Sequence, residues 1–182
     1  KNLFCLNVIY LKNFVINEEA KKSEYENVDV VNIVLAASGR REKNHTLAIQ
    51  STKKLLDCGY NVTLSFFGDF RDKLYLNDLK MIIESLDLSD NIHFLGVSNS
   101  IQNDICNYDV ALLCSTYEGL PLALIDYGLA SLPVASTNVG QIKDLIIDGV
   151  SGKLCNSFDI NEFTSCIRYI IDNPGKARLM GT

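Results

Sequence analysis

Asp109–Ser136 reads DVALLCSTYEGLPLALIDYGLASLPVAS. An apolar run stops at Glu118, Gly119, Leu120 and Pro121 follow, and a second apolar run carries one acid, Asp126. Asp109–Cys114 reads as a strand. Pro121 sits where a helix start tolerates proline, so a helix is expected over Pro121–Ala130, and Leu132–Ser136 reads as a short strand. Working outward, the same alternation repeats. Val30–Ser38, Asn61–Gly68 and Asn91–Gly96 read as strands, and the strands are apolar throughout, as doubly covered parallel strands should be. A helix is expected from Asn44, as N-cap, to about Cys58, with Gly59 just past its end. Asp72–Leu86 carries Leu74, Leu76, Leu79, Ile82, Ile83 and Leu86 at amphipathic spacing. A turn of helix is expected over Asp144–Ile147, and a long helix over Asp159–Ile171, ended by Asn173-Pro174. Strands alternating with helices predict an α/β protein with a doubly wound, Rossmann-like parallel sheet.

Composition fits one such domain. The chain has 182 residues, 47% hydrophobic and 21% charged, with a formal charge of −5. That charge argues against a nucleic-acid or anionic-membrane partner and makes any basic cluster conspicuous. No window holds about 18 uninterrupted apolar residues, so no bilayer span is expected. Asn and Lys interrupt Lys1–Asn13, which does not read as a signal peptide. The first residue is not Met, so a fragment or a processed form is expected. The 6 cysteines and 2 histidines lack zinc spacing. The cysteines read as small buried hydrophobes in a reducing compartment, with a reactive thiol at Cys114 left open.

Open α/β sheets bind ligands beyond the carboxyl ends of their strands. Four loops lie there. The first carries Arg40, Arg41 and Lys43 before a helix start, where free N–H groups already favour an anion. The cluster reads as a phosphate or diphosphate clamp or as a solvated loop neutralised by Glu42; Asn44 and His45 serve the helix start. Phe67–Phe70 has one glycine where a phosphate cradle would want two. Gly96 and Val97 offer backbone groups that a base could use. The fourth loop holds Glu118 at a strand end beside a helix N-terminus. At 100° per residue, Leu122, Ile125 and Leu129 form an apolar stripe with Asp126 at its rim, so both acids are expected to face one polar pocket. Ionised carboxylates only accept hydrogen bonds, which suits vicinal hydroxyls; an ordinary surface acid is the other reading of Asp126.

Tyr117–Cys155, YEGLPLALIDYGLASLPVASTNVGQIKDLIIDGVSGKLC, resembles the donor-binding signature of glycosyltransferase family 4, the retaining enzymes with a GT-B fold. Arg40–Gln50, Phe66–Phe70 and Leu88–Ser98 fall in that family's order and spacing, and Asn7–Asn17 is similar to its inter-domain hinge. The resemblance implies a hinge segment and linker over residues 1–29 and a nucleotide-sugar donor-binding domain, one half of a GT-B fold, over residues 30–182. It implies sugar transfer from a nucleoside-diphosphate donor to a sugar or lipid-linked acceptor held by an N-terminal domain, as in polysaccharide or glycoconjugate synthesis. Arg40, Lys43 and Glu118 would be the catalytic residues, the first two on the diphosphate and Glu118 on the sugar hydroxyls. Gly39, Val97, Gly119, Leu120, Pro121, Leu122 and Asp126 would bind the donor, with Asp126 on the ribose and Val97 near the base. Asp126 stands where the family has Glu, Phe70 replaces a glycine, and the Arg-to-Lys interval is short. No Asp-x-Asp pair occurs, so metal-independent transfer without a cofactor is implied, in the cytoplasm, with peripheral association of the full-length protein at a membrane face left open. A non-catalytic nucleotide-sugar-binding module is the alternative. A phospho-acceptor domain would need acids after the first strand, where this chain is basic.

Overall fold

The computed structural model describes residues 30–181, so the expected hinge segment over residues 1–29 lies outside the described residues. Six strands form one sheet: β1 (Val31–Ala36), β2 (Val62–Phe67), β3 (Ile92–Gly96), β4 (Val110–Leu113), β5 (Val134–Thr137) and β6 (Lys153–Cys155). Their spatial order is β3-β2-β1-β4-β5-β6, and every pairing is parallel. The chain winds outward from β1, returns to the centre at β4 and winds the other way. This is the expected doubly wound sheet, with its switch point between β1 and β4.

Helices α1 (His45–Asp57), α2 (Lys73–Ser85), α3 (Ile101–Ile105), α4 (Leu122–Leu129), α5 (Ile160–Asp172) and α6 (Pro174–Met180) cover both faces. Ile33 and Leu35 of β1 join a core with Leu47 and Ile49 of α1, Leu79 of α2 and Phe163 and Ile167 of α5. Val34, pointing the other way, packs with Ile105 of α3, Tyr127 of α4 and Ala130 just past that helix. Burial on both faces is why β4 is apolar throughout and why β1 and β2 are mostly so, with Asn32, Thr63 and Ser65 as the polar exceptions. No helix among the described residues is long and apolar enough to cross a membrane.

Local chemistry sets the helix ends. The carboxylates of Asp72 and Asp159 each accept two backbone N–H bonds at the starts of α2 and α5. After α1, the Gly59 N–H bonds Leu56 O and the Tyr60 N–H bonds Leu55 O, with Gly59 at φ 87°. That pairing closes a Schellman motif, which needs a left-handed residue.

Several expectations change. Asn44 is not a side-chain cap. A 3-10 turn over Arg41–Lys43 precedes α1, and Asn44 joins the two in a left-handed conformation with no side-chain bond to the helix. β3 is not apolar throughout: Ile92 is buried while His93 and Leu95 are exposed, because β3 is an edge strand. The turn expected over Asp144–Ile147 is a 3-10 turn at Ile142–Asp144. Asn173-Pro174 ends α5, yet Pro174 also opens α6.

His45 serves more than the helix start. Its ring is fully buried, edge-on to Phe66 and Phe70, with Nδ1 3.2 Å from the Tyr75 hydroxyl. Burial, aided by the nearby Lys43 charge and opposed by the Ala37 backbone, lowers its pKa from 6.5 to about 4. The unfolded chain therefore takes up this proton first as pH falls. Stability from His45 is complete above pH 6.5 and drains away toward pH 4, by about 3 kcal/mol. Urea midpoints measured from pH 7 to 4 should fall less steeply in His45→Leu than in the native chain; parallel slopes would refute the assignment.

Candidate functional site

The switch point owes its shape to Tyr127. The last paired residues of β1 and β4 are Val34 and Ala111. Beyond them the Tyr127 hydroxyl accepts from the Ala36 N–H at 2.8 Å and donates to the Leu112 carbonyl at 3.0 Å. A phenol oxygen thus replaces a direct rung, and the two strand ends are held apart around it. The loops leaving those ends carry the residues singled out from the sequence.

After β1 the chain passes Ser38 and Gly39 into the Arg41–Lys43 turn. A Cβ on Gly39 would lie 2.2 Å from the Phe70 ring, so only glycine allows this close approach. Phe70 packs at 5.0 Å against His45 and 5.1 Å against Phe94. Where a second glycine would have opened a cradle, Phe70 therefore plugs the core beneath the basic turn.

The basic residues then part company. Lys43 reaches across the switch point and donates to Glu118 Oε1 at 2.7 Å. Arg41 turns away: it binds Asp78 of α2 at 2.8 Å and lies 5.1 Å over the Tyr75 ring. Its guanidinium is thus engaged away from the switch point. Arg40 stays in solvent, 70% exposed and 3.9 Å from Glu42, a contact too loose to occupy it.

Glu118 is held from several sides. Ser115 Oγ donates to its Oε1 at 2.6 Å. The Thr116 N–H donates to the Glu42 carbonyl at 2.8 Å, tying this loop to the basic turn. Gly140, at φ 57°, presses on the Glu118 carbonyl so closely that a Cβ would sit 1.9 Å from that oxygen. The pair lies in a partly dry environment, with side-chain exposures of 23% for Lys43 and 8% for Glu118. Oε2 of Glu118 takes no hydrogen bond from the described residues. Gly119, Leu120 and Leu122 line the solvent side of this loop, and Pro121 is buried behind them.

The stripe expected on α4 is corrected. Leu122 is 69% exposed, and Tyr127 and Ala130 form the buried face, flanked by Ala123 and Leu124. Asp126 does not share a partner with Glu118. It is half-buried and accepts from Gln102 Nε2 of α3 at 2.5 Å. Burial raises its pKa, and the Gln102 hydrogen bond opposes that shift. Beside α3 lies a pocket of about 280 Å³ lined by Ala36, Ser38, Phe67, Gly68, Val97 and Ile101. Val97 stands exposed at its edge.

Similarity to known proteins fits this arrangement. The family model described as Glycosyl transferases group 1 matches residues 16–182. The chain belongs to this family. HepE of Anabaena, solved with UDP-glucose, superposes with a TM-score of 0.77 at 19% identity, covering 100% of this chain and 46% of that one. The C-terminal domain of a group 1 family protein, LpcC of Francisella tularensis, superposes with a TM-score of 0.72 at 19% identity, covering 84% of this chain and 80% of that domain. At such identities these likenesses speak for the fold. A Vi polysaccharide biosynthesis protein of Salmonella typhi is 33% identical over 86 residues, which is 47% of this chain and 15% of that protein. The chain spans about a third or less of the length of three curated relatives that it matches.

Four residues of the site escape sequence reasoning: Tyr127, Gln102, Ser115 and Gly140. Gly140 lies in the stretch that resembles the family, but nothing in the sequence says that it touches Glu118. Tyr127 and Gln102 carry no local signal.

Proposed function

We propose that residues 30–182 are the nucleotide-sugar donor-binding, C-terminal half of a retaining GT-B glycosyltransferase of family 4. The observation that carries this reading is the Lys43–Glu118 pair at the switch point, where loops from β1 and β4 bring one cation and one carboxylate together. A diphosphate arriving there recruits Lys43 and the free guanidinium of Arg40. The exchange releases Glu118, still held by Ser115, to accept hydroxyls of the transferred sugar. As the glycosidic bond to the donor breaks, negative charge grows on the leaving nucleoside diphosphate, and the two cations stabilise it without moving a proton. The base fits the pocket beside Val97 and the ribose faces Asp126. The cations take the part that a metal plays elsewhere, so transfer needs no metal ion. The acceptor, a sugar or a lipid-linked glycan, belongs to the half outside this chain, in keeping with the polysaccharide-synthesis relative.

A thermal-shift screen with UDP, GDP, ADP and their sugars tests the reading. At least one nucleotide should raise the melting temperature of the isolated chain by mass action, and the chain alone should transfer nothing. The full-length protein should transfer sugar and lose that activity in Glu118→Ala. If no nucleotide raises the melting temperature, the donor-domain reading fails; if the full-length protein binds a donor without ever transferring it, the chain is a non-catalytic binding module.

A further inference from the structure

Asp126 stands on α4 as an aspartate, so its carboxylate ends one methylene nearer the helix than a glutamate's would. It nevertheless meets a side chain from another element. Gln102, on α3, places Nε2 2.5 Å from Asp126 Oδ1. A carboxylate only accepts hydrogen bonds, so the amide nitrogen must be the atom that faces it. This fixes the orientation of the carboxamide and leaves two acceptors without partners among the described residues: Asp126 Oδ2 and Gln102 Oε1. Both side chains are half-buried, so neither is free to swing as a surface chain would. Gln102 directly follows Ile101, which lines the pocket beside Val97. Helix α3 therefore carries both a wall residue of the pocket assigned to the base and the partner of Asp126.

We propose that Gln102 is a specificity-determining residue for the donor's ribose, its Oε1 accepting from one of the vicinal 2′- and 3′-hydroxyls while Asp126 Oδ2 accepts from the other. A cis-diol offers two O–H donors on adjacent carbons, and the Asp126–Gln102 pair offers two acceptors locked side by side by their mutual hydrogen bond. The amide supplies from α3 the reach that the shorter acid lacks on α4. This inference rests on the donor-binding reading.

Calorimetric titration of the native chain with the nucleoside diphosphate that binds best, and with its 2′-deoxy and 3′-deoxy forms, gives the reference. Each deoxy form should bind about five- to tenfold more weakly, one hydrogen bond lost in each case. In Gln102→Leu the parent nucleotide should weaken by a similar factor, and one of the two deoxy penalties should vanish while the other persists. Gln102→Glu sets a second carboxylate against Asp126 and should weaken the parent nucleotide further. Both penalties surviving unchanged in Gln102→Leu would overturn the assignment while leaving the donor site intact. No nucleoside diphosphate binding by the native chain would overturn the donor reading itself and this inference with it.

Discussion

Lys43→Ala is expected to weaken nucleoside-diphosphate binding by about 10- to 100-fold, the worth of one charge-assisted hydrogen bond of roughly 1.5–3 kcal/mol. Two effects add. The diphosphate loses its best-placed cation, and Glu118 keeps its charge at the same spot. In the native chain Lys43 neutralises Glu118 at 2.7 Å; in the variant an uncompensated carboxylate meets the incoming phosphates. Fold stability should fall as well, because a half-dry carboxylate retains only Ser115. Lys53 provides the control. It forms an exposed pair with Asp57 one turn away on α1, and Lys53→Ala should leave affinity and stability nearly unchanged. Calorimetry of both variants decides the matter, and a change below twofold in Lys43→Ala would remove Lys43 from the site.

Tyr127→Phe should destabilise the chain by about 2–4 kcal/mol, since two backbone groups lose their partner at once. The Ala36 N–H and the Leu112 carbonyl each bond the phenol oxygen, and Leu112 is fully buried. The hydroxyl itself is wholly buried, which pushes its pKa well up and keeps it protonated, able to donate to Leu112 while accepting from Ala36. Phenylalanine fills the same volume, so the loss isolates the hydroxyl from the packing of the ring. Urea denaturation measures the cost, and amide exchange at Ala36 should quicken. A loss under about 0.5 kcal/mol with Ala36 still protected would mean that β1 and β4 close up and bond directly, and that the phenol is not what holds them apart.

The alternation of strands and helices, and with it the doubly wound parallel sheet, was legible because it depends on local pattern. Doubly buried strands announce themselves by apolar runs such as Ile33–Ala36 in β1. β6 did not, being three residues long and led by a lysine. The face of α4 was misread for a physical reason: Leu122–Leu129 is apolar nearly all round, so periodicity selects no side. Arg41 and Lys43 were indistinguishable as charges in one loop. The resemblance picks out Lys43, and Asp78 and Glu118, brought close by tertiary packing, show where each charge goes. The bond from Gln102 to Asp126 joins neighbouring helices that no motif links. The strand-end rule and the family resemblance assign Lys43 and Glu118 to one ligand site, but that the two side chains meet is visible only in the structure.

The contacts that build the site join residues far apart in the chain: Lys43 to Glu118 across 75 positions and Ala36 to Tyr127 across 91. Time therefore enters. A chain that grows from its N-terminus makes β1, β2 and the basic turn before β4 exists. At that stage Lys43 has no Glu118, the rim of β1 has no phenol to hold it open, and loop-closure entropy works against both contacts. The core that joins Ile33 and Leu35 to Phe163 and Ile167 spans the same divide, so the site is complete only when the later strands have docked. A ligand seated across that seam would act as a latch on the final folding step, slowing the separation of the early strands from the late ones.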